Sequence, residues 1–103
     1  MNEKQYEKKL KSTIKKMFPG CVIMKNDPAM NQGVPDILIL YKHRWGMLEI
    51  KIDETAIRQP NQDYYVNLYN DLSFAAFINP DNEEAVLSDL QQAFGVRGTT
   101  RIP

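Results

Sequence analysis

From about Asn2 to Phe18 the apolar positions Tyr6, Leu10, Ile14 and Met17/Phe18 recur at helical spacing, with lysines between them. Pro19-Gly20 stops that pattern. "CVIMK" then reads as a short strand, and Asn26 to Pro35, rich in turn formers, as a loop. "ILILY" (Ile37 to Tyr41) is apolar without interruption, as a strand covered on both faces would be. "KHRWG" supplies a turn and "MLEIKI" a further strand, which together predict a hairpin. Pro60 is expected in the first turn of a second helix running to about Asn70, with Tyr65, Leu68 and Tyr69 inward. "SFAAFI" (Ser73 to Ile78) has the look of another central strand. Asn82 or Asp81 caps a last helix with Val86, Leu90 and Phe94 inward, and the tail after Gly95 is expected to be loose.

The order helix, three strands, helix, strand, helix predicts an α/β (α+β) chain with a central mixed sheet flanked by helices. With 103 residues and no internal repeat, residues 1–103 form one domain. The composition, 43% hydrophobic and 25% charged, is that of a chain that folds. No apolar run reaches the roughly 18 residues of a membrane span, and the charged N-terminus lacks a signal-peptide core. A cytoplasmic location follows as the default. Cys21 is the only cysteine, so no internal disulfide or multi-cysteine zinc site can form.

The formal net charge is zero, but the charges are unevenly placed. Up to Lys25 the chain carries Lys4, Lys8, Lys9, Lys11, Lys15, Lys16 and Lys25 against Glu3 and Glu7, whereas from Asp53 to Leu90 Arg58 stands alone among acids. A lysine-rich helix attracts phosphate backbones through counterion release; a merely solvated charged face has the same sequence.

The hairpin holds the most informative charges. In an extended strand Glu49 and Lys51 share one side with Trp45 and Met47, and Leu48, Ile50 and Ile52 share the other. Asp36, at the start of the preceding strand, can be brought beside the middle of its partner. Two carboxylates meeting there repel unless a cation neutralises them, and such oxygen ligands suit magnesium or manganese. Lys51 on the same face could hold a water beside that metal, or form a structural salt bridge. A divalent ion on carboxylates fits phosphoryl chemistry.

Pro35-Asp36 followed by Glu49-Ile50-Lys51, in a helix-strand-strand-strand-helix-strand frame, resembles the PD-(D/E)XK nuclease superfamily. "GVPDILIL", "LEIK" and "RQPNQDYYVNL" are similar to its VRR-NUC family, whose small stand-alone members occur in bacterial viruses. The resemblance spans roughly Glu7 to Leu90, although the valine-arginine-arginine signature has no counterpart in "AAFINPDN". It implies a restriction-endonuclease-like αβββαβ core in which Asp36 and Glu49 bind Mg2+ or Mn2+, the Ile50 carbonyl is a further ligand, and Lys51 positions the attacking water. Glu7 matches the acid often carried by the first helix. It lies two helical turns before Ile14, along the apolar stripe; Glu3 shares the alignment, and an i,i+4 pair of Glu7 with Lys11 is the plainer alternative. Gln62 matches a glutamine at the start of the second helix, with Tyr65 where a tryptophan is common. Gln62 would touch the scissile phosphate or a metal-bound water, or else be an exposed first-turn residue. Gln59 is a weaker choice.

The activity implied is that of a metal-dependent DNA endonuclease, structure-selective for branched DNA such as four-way junctions. Lys4, Lys8, Lys11 and Lys15 would bind the DNA, and a homodimer would cut two strands symmetrically. The alternative is a non-cleaving nucleic-acid-binding or assembly module with the same fold. His43 reads as a surface turn residue, and Tyr64, Tyr65 and Tyr69 as core or partner contacts more than a stacking platform.

Overall fold

The computed structural model describes residues 1–27, 29, 32–53, 55–59 and 61–96. Pro60, several residues of the loop before Asp36, and the tail from residue 97 lie outside the described residues. Seven elements follow in the order α1 (Glu3–Met17), β1 (Val22–Lys25), β2 (Ile37–Tyr41), β3 (Arg44–Ile50), α2 (Gln62–Leu72), β4 (Ala75–Ile78) and α3 (Glu83–Ala93). The sheet runs β1-β2-β3-β4, antiparallel between β1 and β2 and between β2 and β3, and parallel between β3 and β4. The parallel pair needs a crossover, and α2 supplies it. The chain is thus α+β, with an αβββαβ core followed by one more helix.

Local chemistry sets the helix ends. The Asn2 side chain accepts from the N–H of Gln5 and the Gln5 side chain accepts from the N–H of Asn2, so two orphan donors of α1 are satisfied reciprocally. The stripe expected on α1 is the buried one: Tyr6, Leu10 and Ile14, with Phe18 just beyond. These pack with Ile37, Ile39 and Tyr41 of β2, Leu48 and Ile50 of β3, Ile78 of β4, and Val86, Leu87, Leu90 and Phe94 at α3. Therefore α1 and α3 cover one sheet face. Phe18, Tyr41 and Phe94 close one end of this core, with ring centroids 5.2–5.8 Å apart. The Tyr6 hydroxyl donates to Glu83 at 2.8 Å and ties α1 to α3; burial, then this carboxylate, raises the phenol's pKa.

The opposite face is clothed only in part. There α2 packs on β3 and β4, leaving Val22, Met24 and Leu40 at 52%, 50% and 36% exposure. This corrects two expectations. "ILILY" is fully buried on its α1 side alone; on the other side Leu38 is half-buried and Leu40 exposed. β4 is an edge strand; its apolar run reflects helices on both of its faces, α2 on one and α3 on the other.

Two boundaries also shift. The hairpin turn is only Lys42-His43, since Tyr41 pairs with Arg44, and Lys42 takes the φ of 57° that so tight a turn demands. The inner face of α2 is Gln62 and Val66, with Tyr65, Leu68 and Tyr69 half-buried. Tyr65 and Tyr69 instead stack along the helix, Tyr69 meeting Trp45 edge-on at 6.2 Å. No helix among the described residues is long and apolar enough to cross a membrane.

Candidate active site

Alternation along β3 divides its side chains between the two helical layers. Leu48 and Ile50 enter the core under α1 and α3, which turns Glu49 to the α2 side, where it is only 3% exposed. A lone glutamate does not stay ionised in such a place without partners. Its neighbours are set by register: Ile37 faces Leu48, so Asp36 comes opposite Glu49. The Asp36 carboxylate reaches Glu49 and accepts the N–H of Ile50 at 2.8 Å. The preceding segment is held as well. Asn26 donates its backbone N–H to the Asp36 carbonyl and its side-chain amide to the Pro35 carbonyl, both at 2.9 Å.

Glu49 Oε2 accepts from Gln62 Nε2 at 2.9 Å and lies 3.6 Å from Lys51 Nζ. Glu49 Oε1 is buried and has no hydrogen-bond partner among the described residues. Burial first, then the negative charge of Asp36, raises the Glu49 carboxyl from 4.5 to about 8, with Lys51 pulling the other way. The convergence expected from the hairpin is present: two acids and one lysine on one face. Lys51 also donates to the carbonyl of Ile57 at 3.2 Å, which anchors the loop after β3.

Gln62 is buried, not exposed, and both ends of its amide bond within the protein. Its Nε2 holds Glu49 and its Oε1 accepts from the N–H of Gln59 at 2.8 Å. It orients the acid. Gln59 contributes through its backbone. Ile50 offers its N–H to Asp36.

Glu7 does not join the acid pair. It receives Lys11 and Lys25, each at 2.9 Å, and although burial would raise its pKa, these two ammonium groups hold it below the usual carboxylate range. The i,i+4 pair thus forms, and Lys25, whose charge is felt by Asp36, stands as an additional cation. The acid of α1 whose charge reaches Glu49 is Glu3. Glu3 opens a helix that Asn2 and Gln5 cap.

Lys4, Lys8, Lys11 and Lys15 line, with Glu7 and Ser12, a groove of about 540 Å³ along α1. Lys11 is committed to Glu7; the other three are exposed. His43 is an exposed turn residue. Cys21 is half-buried against the core, and desolvation raises its thiol pKa.

Sequence reasoning missed Asn26, Lys25 and Gly33. Gly33 has φ +93°, and a Cβ there would lie 2.5 Å from Asn61 Cβ, just before Gln62. A Gly two residues before Pro35 was the one available signal. Among the described residues no group of three or more His, Cys, Asp or Glu side chains gathers as a metal-binding cluster. Any ion at Asp36 and Glu49 would complete its coordination with other oxygens. No family model, curated protein or solved structure matches this chain.

Proposed function

We propose that the chain is a metal-dependent endodeoxyribonuclease of the PD-(D/E)XK type, similar to small stand-alone VRR-NUC proteins, that hydrolyses phosphodiester bonds in branched or duplex DNA. One observation carries the reading: Glu49 is buried with one oxygen that has no hydrogen-bond donor among the described residues, and its carboxyl interacts with a second acid, Asp36. A purely structural carboxylate at this depth would have a donor on each oxygen. Here one oxygen is served by Gln62 and Lys51, and the other waits for a proton or a cation.

The all-oxygen donor set suits Mg2+ or Mn2+, so the residues fit the ion that the resemblance implies. Asp36 and Glu49 would hold it, with the Ile50 carbonyl alongside. Bound there, such an ion supplies polarisation of a phosphoryl oxygen and a lowered pKa for bound water. The remaining work belongs to the chain. Gln62 and the Ile50 N–H fix the two carboxylates, Lys51 holds the attacking water in line with the phosphorus, and Lys4, Lys8 and Lys15 draw the backbone in. Shape and backbone govern how duplex DNA is engaged. A homodimer, expected of an enzyme that cuts junctions symmetrically, has an apolar surface to use in Val22, Met24 and Leu40. The cytoplasm supplies both DNA and the metal.

The test is incubation with four-way junction, duplex and single-stranded DNA in Mg2+ and in Mn2+. Cutting that is lost in Asp36→Asn, Glu49→Gln and Lys51→Ala supports the nuclease. The pairing of Glu7 with two lysines favours a second reading, a DNA-binding module that does not cut. Salt-sensitive binding without cleavage in either metal would establish that module and sink the enzyme.

A further inference from the structure

A second cavity opens beside Lys51, on the α2 side of the sheet where β3 and β4 end. Lys51, Phe77 and Asn79 rise from the sheet, Asp53 and Arg58 from the loop between β3 and α2, and Asp81 from the turn before α3. Its volume is about 320 Å³. At about 30 Å³ per water that is the space of roughly ten waters, enough for one planar heterocycle.

The wall is a ready stacking surface. The Arg58 guanidinium carbon lies 3.9 Å from the centroid of the Phe77 ring, over its face, and Arg58 is held there by Asp63 at 2.8 Å. Unstacked bases settle on such aromatic and guanidinium planes. The rim supplies fixed acceptors. Asp53 Oδ1 accepts the N–H and hydroxyl of Thr55 at 2.8 and 2.6 Å. Asn79 Oδ1 accepts the N–H groups of Asp81 and Asn82 at 2.8 and 2.9 Å, which places Asp81.

Charge decides the ligand class. Both cations of the pocket are engaged, Lys51 with Glu49 and the Ile57 carbonyl, Arg58 with Asp63. A phosphate entering here would meet, among the described residues, two carboxylates and no uncommitted cation. A neutral ring bearing an exocyclic amine would meet a stacking wall and acceptors for that amine.

We infer that this pocket holds an unpaired nucleobase with an exocyclic amino group, cytosine, adenine or guanine rather than thymine, stacked on the Arg58 guanidinium that Phe77 backs, with its amine on Asp53 or Asp81. The base would belong to the nucleotide whose backbone passes Lys51 toward Asp36 and Glu49. Only this last clause rests on the nuclease reading.

Two measurements test it, both without divalent metal. In the first, fluorescence anisotropy compares duplexes carrying one unpaired nucleotide: C, A, T or an abasic residue. The C and A duplexes should bind about tenfold more tightly than the T and abasic ones. The double substitution Asp53→Ala/Asp81→Ala, which removes both acceptors, should erase that preference without lowering abasic binding, with thermal unfolding to show that the variant is folded. Equal affinity for C and abasic duplexes overturns the inference, as does a C preference that survives both substitutions. In the second, free deoxycytidine should shift the amide resonances of Phe77 and Asn82 in the wild type and not in Phe77→Ala, and thymidine should shift them less. No response to deoxycytidine overturns the inference even where DNA binds. Cutting with no base preference defeats the pocket and spares the nuclease; deoxycytidine shifts without cutting in any metal do the reverse.

Discussion

Replacing Glu49 by glutamine should make the metal-free protein more stable, by an amount that depends on pH. Folding takes the Glu49 carboxyl from its ordinary value of 4.5 to about 8. Between those two values the folded chain binds a proton that the unfolded chain has released, so wild-type stability falls as pH rises through the window. At about 1.4 kcal/mol for each tenfold change in proton affinity, the whole span corresponds to an upper bound of about 5 kcal/mol. Water entry and side-chain relaxation reduce this to on the order of 2 kcal/mol. Glutamine keeps the shape, still accepts from Gln62, and brings no charge against Asp36. Urea denaturation in chelator, from pH 4 to 9, is the assay. The advantage of Glu49→Gln over wild type should be smallest near pH 4.5, grow to a plateau above about pH 8, and shrink when Mg2+ is added. A difference that is flat with pH, or that widens toward acid, would refute the argument that Glu49 is a desolvated acid beside a second acid.

Gln62→Ala should lose about 10- to 100-fold in DNA cleavage, as expected when the group orienting a metal-binding carboxylate is removed, and about 1–3 kcal/mol of stability; steady-state kinetics and chemical denaturation read the two effects. Gly33→Ala should destabilise by about 1–3 kcal/mol, because the residue is held at positive φ with Asn61 in the space of a Cβ; a wild-type denaturation midpoint would contradict that close approach. The triple variant Lys4→Ala/Lys8→Ala/Lys15→Ala should lower the slope of log affinity against log salt by about 2.7 on duplex DNA, about 0.9 for each phosphate that is no longer neutralised. A slope unchanged in anisotropy titrations would remove the α1 groove from the DNA interface.

How far the sequence could be read depended on whether the deciding interactions were local. The α1 stripe, "ILILY" as a strand and the opposite facing of Ile50 and Glu49 follow from periods of 3.6 and 2, and all are found. The meeting of Asp36 with Glu49 needed only hairpin register. What was not legible depended on partners distant in sequence. Gln62 is buried because Glu49 takes its amide, a polar pairing that an apolar-periodicity reading places outside. Glu7 was placed by its helical stripe, but Lys25, from β1, takes it away from the site. The pocket under Phe77 is assembled from two loops and a sheet edge, which no single pattern marks.

The half-clothed face of the sheet has a consequence for how the molecule meets its surroundings. Its apolar strip and the lysine flank of α1 respond oppositely to dissolved ions. Salt screens the attraction of ammonium groups for an anionic polymer within about 10 Å at 0.1 M, while sulfate- or phosphate-rich media strengthen the adhesion of greasy surfaces. Ionic strength therefore acts as a dial between two kinds of company: dilute buffer favours polyanions along α1, and concentrated buffer favours another sheet laid over Val22, Met24 and Leu40.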